Sequence, residues 1–316
     1  MMRVGLVFAG GFAKGAYQVG AIRALQEFIP ESDICCISAA SIGALNAFAY
    51  ATDNVDGLEK IWRECVPPDQ KMLVTKVMSG NSLRQIVSSL SKDAAGPLTK
   101  PLYCSLLDWR GKTLVYRDLM PLDARCQRRC LRAGVALPPY NTPVSVDDEN
   151  ISYYDGGLVD NIPVAPLVNI DLDYVICFYF DETNYQFENA YFDNRIIKIS
   201  FASKSMLSHS FILSQKKIDE MIRVGYEFTK EKLSIVFANG ISDLDYIYKS
   251  IEESNRNSPK PRLRLTVDVV ISNLNKVTQQ LTKRRGIRKK EAPAAEKQEV
   301  PAAEKQEVPA AEKKEE

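Results

Sequence analysis

Between residues 35 and 47 a run of strand-forming residues empties into a serine turn made of very small side chains, and an alanine-rich helical pattern follows at once: Cys35-Cys36-Ile37-Ser38-Ala39-Ala40-Ser41-Ile42-Gly43-Ala44-Leu45-Asn46-Ala47. In one dimension this is a strand, a tight turn and a helix. A serine at the tip of such a turn has its hydroxyl pushed out of the backbone at the top of a sheet, beside a helix N-terminus where developing negative charge is favoured. Small neighbours are required because the backbone passes close to itself. The pattern for this elbow is G-x-S-x-G, and here Ala39 occupies the first glycine position and Gly43 the second. Taken alone, small residues around a serine more often mark a helix packed tightly in a core. The meaning of Ser41 therefore depends on what the rest of the chain supplies.

The same scheme opens the chain. Val4-Gly5-Leu6-Val7-Phe8 is a short apolar run suited to a buried strand, and after the loop Gly10-Gly11-Phe12-Ala13-Lys14-Gly15 comes an apolar stripe at Tyr17, Gly20, Ala21, Ala24, Leu25 and Phe28. Spacings of three, four and seven mark an amphipathic helix. Two strand–loop–helix units in the first fifty residues predict a mostly parallel sheet covered by helices, with both loops at the C-terminal edges of adjacent strands, where such sheets place their sites. The glycine loop fails as a P-loop, because Ala16 and Tyr17 follow Gly15 where Lys and Ser or Thr are needed, and it fails as a dinucleotide fingerprint, because Phe12 stands where glycine is needed. Two readings stay open: an oxyanion hole built from the amides of Gly10, Gly11 and Phe12, or a plain strand-to-helix turn.

At 316 residues and 45% hydrophobic side chains the chain can furnish one large α/β domain or two modest ones. Its 41 basic and 40 acidic residues nearly cancel, which points away from a polyanionic partner; no nucleic acid is expected. Seven cysteines lying mostly in apolar runs read as buried thiols in a reducing compartment. Cys126 and Cys130 have helical spacing, but with one histidine in the chain and no second cysteine pair no metal site is expected. Met1-Met2-Arg3 leads straight into the first strand pattern, so no cleaved secretion signal is expected. The stretch 34–51 has the length of a membrane span, yet it carries Ser38, Ser41 and Asn46 and is mostly alanine-sized, so it reads as the strand and helix above.

Further along, residues 62–98 are helical in pieces, 101–107 and 113–116 read as strands joined by a turn at 108–112, 131–139 as a small-residue helix ended by prolines, and 172–180 as a buried strand. Between them lies Tyr153-Tyr154-Asp155-Gly156-Gly157-Leu158-Val159-Asp160-Asn161-Ile162-Pro163. Aromatic strand residues deliver a carboxylate onto two glycines, so Asp155 is expected at a sharp turn with open space beside it. An Asp-Gly pair by itself usually means only a turn.

Together the three stretches resemble the patatin-like phospholipase family, whose marks are a G-G-G-x-[RK]-G loop, a G-x-S-x-G elbow one strand–helix unit later, and a D-G-[GA] motif followed by N-x-P. The matching residues are Gly10 to Gly15, Ala39 to Gly43, and Asp155-Gly156-Gly157 with Asn161-Ile162-Pro163; Lys217 to Tyr226 looks like the family's late helix. The likeness spans roughly residues 3 to 235, with Phe12 and Ala39 departing from glycine. The resemblance implies a three-layer α/β sandwich and a serine–aspartate dyad needing no metal or cofactor: Ser41 as nucleophile, Asp155 as base, and the loop amides of Gly10, Gly11 and Phe12 as oxyanion hole. Lys14, Gly15, Gly43, Gly156 and Gly157 would serve as binding or structural motif residues, with Lys14 either receiving an anionic head group or capping the first helix. The implied activity is hydrolysis of carboxylic esters of lipids by a phospholipase A or esterase; the alternative is a catalytically silent scaffold of the same fold that binds lipid or protein. A rival triad, Ser41, Asp155 and His209, has the chain order of α/β-hydrolases, but that fold places its nucleophile after several strands, whereas here one strand–helix unit precedes Ser41.

Composition changes abruptly near the end. Lys283-Arg284-Arg285-Gly286-Ile287-Arg288-Lys289-Lys290 is a basic cluster, and from Pro293 the unit Pro-Ala-Ala-Glu-Lys-Gln-Glu-Val repeats with an altered last copy. Regular prolines without aromatic residues predict no packed core. The expected organisation is a hydrolase domain over 1–282 and a basic cluster with a repeat tail over 283–316. The cluster reads either as a contact to anionic lipid or as a solvated charge run, which places the protein in the cytoplasm, free or peripherally on a membrane; export without a cleaved signal stays open.

Overall fold

The computed structural model describes residues 1–77, 80–92, 94, 96–147, 151–180, 185–187, 190–201, 212–257 and 262–264. In chain order its elements are β1 (Val4–Phe8), α1 (Gly15–Phe28), β2 (Ile34–Ala39), α2 (Ile42–Ala51), α3 (Val55–Glu64), β3 (Met72–Leu73), α4 (Val74–Val77), α5 (Gly80–Lys92), β4 (Leu102–Asp108), β5 (Thr113–Asp118), α6 (Ala124–Gly134), β6 (Val144–Ser145) and β7 (Ser152–Asp155). They continue with β8 (Tyr174–Tyr179), β9 (Tyr185–Phe187), α7 (Ala190–Asp193), β10 (Ile196–Ser200), β11 (Ile212–Leu213), α8 (Gln215–Val236), α9 (Leu244–Asn257) and β12 (Arg262–Arg264).

The short apolar runs read from the sequence become the centre of one sheet in the order β10-β8-β1-β2-β4-β7-β6, with β5 also paired to β4. From β10 to β4 every pairing is parallel, and the pairs β4–β7, β4–β5 and β6–β7 are antiparallel. Both faces of the central strands are buried, as a parallel sheet requires. In β1, Val4, Leu6 and Phe8 join the larger core while Val7 and the following Ala9 join a second cluster. Helices α1, α2, α3, α6, α8 and α9 contribute to the larger core. On the opposite face Ile162, Val164 and Leu167, from a segment with one-turn helices at Gly156–Leu158 and Ala165–Leu167, pack against Val7, Cys36 and Cys177.

Strand β4 does most to assemble the site. Its residues 102–104 pair with β2, its residues 106–108 pair with β7, and β5 runs along 103–108. A strand has two edges, so β2 and β7 share one of them and meet end to end, running in opposite directions. Strand β2 stops at Ala39 opposite Cys104, and β7 stops at Asp155 opposite Leu106. Asp155, the last residue of β7, and Ser41, two residues past the end of β2, are thereby delivered to the same spot.

One sequence expectation is corrected in detail. The helix read over 131–139 begins at Ala124, because the Asp123 carboxylate accepts the Cys126 amide at 2.7 Å and caps it, and it ends at Gly134, before the prolines. Four arginines in α6 hide its buried stripe of Cys130, Leu131, Ala133 and Gly134. Residues beyond 264, the tail 283–316 among them, lie outside the described residues, as does His209. No helix among the described residues is long and apolar enough to cross a membrane.

Candidate active site

Ser41 lies between β2 and α2 with φ 54° and ψ −134°, a backbone conformation that L-residues rarely adopt. Strain of this kind costs about 1–3 kcal/mol and persists only where surroundings over-determine it. Here they do: the Ala40 amide donates to the Phe8 carbonyl at 3.0 Å, and the Gly43 and Ala44 amides donate back to Ala40 and Ser41 at 3.0 and 2.9 Å. Gly43 lies so close to the end of β1 that an added Cβ would stand 2.7 Å from the Ala9 carbonyl oxygen, so no larger residue fits. Ser41 itself is 8% exposed.

Asp155, 1% exposed, ends β7 and faces that serine. Its carboxylate accepts the Gly157 amide at 2.7 Å, which closes the one-turn helix Gly156–Leu158, and it lies close enough to the Ser41 side chain to feel it. Its own amide donates to Ala136 at 2.9 Å. Burial pushes the carboxyl up to about 7; the Ser41 side chain and the Gly157 amide pull the other way and are outweighed. Gly157 also borders the serine, since an added Cβ there would sit 3.5 Å from Ser41 Cβ.

The glycine loop packs onto the same atoms. A Cβ on Gly10 would stand 2.6 Å from Ser41 Cβ, so only glycine lets the loop lie against the serine. The Gly10 amide, expected to face an oxyanion, donates to the Asn161 carbonyl at 3.2 Å, while Asn161 Nδ2 donates to the Gly10 carbonyl at 2.9 Å. The amides of Gly11 and Phe12 donate to no group among the described residues. Phe12 has φ 51° and its ring is 44% exposed. The two departures from the glycine pattern are thus physically different: Phe12 occupies a left-handed position that suits glycine, whereas Ala39 does not have positive φ and its methyl is buried in the core. Lys14 reaches the Phe180 carbonyl at 3.5 Å, and Gly15 opens α1.

Three supporting groups had no role in the sequence reading. Asn161 clamps the glycine loop to the aspartate turn; it was visible in N-x-P but without an assigned partner. Asp160 Oδ2 accepts the Tyr116 hydroxyl at 2.6 Å, tying the same turn to β5. Beneath the loop, Gln18 Nε2 donates to the Ala9 carbonyl at 2.9 Å and Asn46 Nδ2 donates to Gln18 Oε1 and the Gly15 carbonyl at 2.8 and 2.9 Å, while Asn46 Oδ1 accepts from Trp62 Nε1 at 3.1 Å. The signal for Gln18 was a polar residue beside Tyr17 in the helix's apolar stripe.

The arrangement joins a strained serine, a buried carboxylate and unspent backbone amides at the end of a parallel sheet. A family model described as patatin-like phospholipase matches residues 6–168, slightly more than half of the chain and all three loops of this site. The chain belongs to the patatin-like phospholipase family. A Mycobacterium tuberculosis protein described as an uncharacterized NTE family protein is 28% identical over 182 residues, 55% of this chain and 48% of that protein. Mouse patatin-like phospholipase domain-containing protein 7 is 27% identical over 172 residues, 51% of this chain and 12% of that protein. The chain thus spans about half the length, or less, of these curated relatives. Among solved structures VipD from Legionella pneumophila aligns with a TM-score of 0.46 at 14% identity, covering 74% of this chain and 67% of that one.

Proposed function

We propose that the protein is a serine lipid acyl hydrolase that cleaves carboxylic esters of lipids through a Ser41–Asp155 dyad. The observation that carries this reading is a fully buried carboxylate set beside the strained Ser41, with its pKa raised to about 7 by burial. A carboxyl near neutrality is a far better base toward a hydroxyl than a solvated aspartate, and catalytic efficiency is greatest when the base titrates near the working pH. Ser41 Oγ bonds to the acyl carbon as its proton passes to Asp155. The carbonyl oxygen, now negative, is met by the amides of Gly11 and Phe12 beside the N-terminus of α2, and each such donor is typically worth about 3 kcal/mol. Asp155 then returns the proton to the leaving alcohol, which departs as the ester bond breaks. Water, deprotonated by the same carboxylate, attacks the acyl-enzyme and releases the fatty acid. Gly10 acts by position, holding the loop against the serine.

The second reading, a silent scaffold of the same family, is favoured by Phe12 at a glycine position and by the engagement of the Gly10 amide with Asn161. Hydrolysis of p-nitrophenyl esters separates the two. Ser41→Ala and Asp155→Asn are expected to lose at least 1000-fold in kcat/KM, and a fluorophosphonate is expected to label Ser41, whereas His209→Ala retains activity. Native activity equal to that of Ser41→Ala, with no labelling, selects the scaffold; loss in His209→Ala with an unchanged melting curve selects the triad.

A further inference from the structure

At the end of the sheet away from Ser41, where the parallel neighbours β2 and β4 begin, lies a solvent-facing cleft of about 430 Å³. That volume is ample for a small molecule, and the length of β2 separates the cleft from the serine turn by about 20 Å. Lys100 lines it at only 7% exposure, a depth that lysines rarely reach. Its ammonium donates to the Glu31 carbonyl and to Glu31 Oε1 at 3.3 and 2.9 Å, and the third of its protons meets no acceptor among the described residues. Glu31 is a loose counter-ion, because its side chain is 55% exposed and stays in contact with water. The hydroxyls of Ser32 and Thr99, in the same walls, make no hydrogen bond among the described residues. Ile34, Pro101 and the exposed Met120 supply carbon surface beside them.

We propose that this cleft is a second binding site, apart from the serine, and that it takes an alkyl carboxylate: the head group on Lys100, Ser32 and Thr99, the chain against Ile34, Pro101 and Met120. Unspent donors select a group that only accepts, and a charge-assisted bond to the ammonium favours an anion. With Glu31 alongside, one ammonium offsets a monoanion but not a dianionic phosphate. The carbon walls then favour an alkyl body over a sugar or a peptide. Glu31 and the guest compete for the same ammonium, so the exposed carboxylate tunes affinity. Because the cleft shares no residue with the Ser41–Asp155 pair, its occupancy is independent of ester cleavage.

Cys35 lines the same cleft as a free, partly exposed thiol and reports on its occupancy. In the full chain, saturating octanoate is expected to slow the reaction of Cys35 with N-ethylmaleimide several-fold, read by peptide mass mapping, and to protect Ser41→Ala equally. Acetate, octanol and octyltrimethylammonium, which lack the tail, the charge or its sign, are expected to protect little. Calorimetric titration with octanoate then tests the ion pair from both ends. Lys100→Met is expected to weaken binding at least tenfold, and Glu31→Gln, which removes the competing carboxylate, to tighten it several-fold. Opposite shifts across one ion pair do not arise from partial unfolding. The site is overturned if octanoate leaves Cys35 unprotected, if octanol or acetate protects it as well as octanoate does, or if Lys100→Met melts like the native chain and binds octanoate unchanged. Should Lys100→Met fail to fold, Glu31→Gln decides: binding no tighter than that of the native chain removes the proposal.

Discussion

With its carboxyl pushed to about 7 by burial, Asp155 is half ionised near neutral pH, whereas a solvated aspartate is ionised from about pH 4 upward. The dyad reading then predicts kcat/KM rising with pH to a plateau with an apparent pKa near 7; a profile flat from pH 5 to 9 would count against Asp155 as the base. The same shift carries a stability cost of known sign. Between about pH 4 and 7 the folded chain keeps a proton on this group that the unfolded chain has released, so its contribution to stability is full below pH 4 and is lost as the pH rises through 7. Asp155→Asn, which keeps the shape without the charge, is expected to gain on the native chain by a few kcal/mol between pH 5 and pH 8, read from urea midpoints at both; the same difference at both pH values would contradict the shift. At Phe12 the strain is conformational. Holding a non-glycine residue at φ 51° costs on the order of 1 kcal/mol, so Phe12→Gly is expected to be more stable than Phe12→Ala by about that amount, the reverse of the usual Gly–Ala order. Differential melting of the two variants checks it.

Strand β4 shows at the scale of elements why the site was half legible in the sequence. The turns around Gly10, Ser41 and Asp155 were readable because chains that approach this closely must be made of small residues, and crowding of that kind is written locally. What holds the turns together is not local. Asn161 meets Gly10 across 151 positions and Asn46 meets Gln18 across 28, and a polar residue in a helix looks solvent-bound until its partner is known. The end-to-end meeting of β2 and β7 on one edge of β4 was equally hidden, because strand runs announce themselves but not the edge on which they pair. The arginine-rich face of α6 concealed its buried stripe in the same way. Helices α1, α2 and α3 depend on the Gln18–Asn46–Trp62 network, so Asn46→Leu leaves Gln18 Oε1 and the Trp62 N–H buried without partners. A loss on the order of 3 kcal/mol is expected, with unchanged denaturant slope; a loss below 1 kcal/mol would mean that those groups find water.

Hydrolysis of an ester embedded in a lipid layer requires the whole molecule to reach that layer, and the charge distribution of the chain suggests how. The 41 basic and 40 acidic residues leave the protein almost neutral, so long-range attraction to an anionic surface must come from local imbalance. Six of the eight residues from Lys283 to Lys290 are basic, while residues 293–316 hold seven glutamates against four lysines. Each basic residue close to an anionic bilayer contributes about 1 kcal/mol, and the interaction fades beyond about 10 Å at 0.1 M salt. The repeat therefore opposes the cluster that precedes it. Two truncations separate the terms. Removal of 293–316 alone is expected to strengthen binding to vesicles containing phosphatidylserine several-fold, and removal of 283–316 to abolish most of it, both effects shrinking at 0.5 M salt. Neutral vesicles should discriminate little between the three chains. Should the longer truncation bind anionic vesicles as well as the full chain, the lipid contact belongs to residues 1–282, and the exposed Phe12 ring beside the glycine loop becomes the first place to look for it.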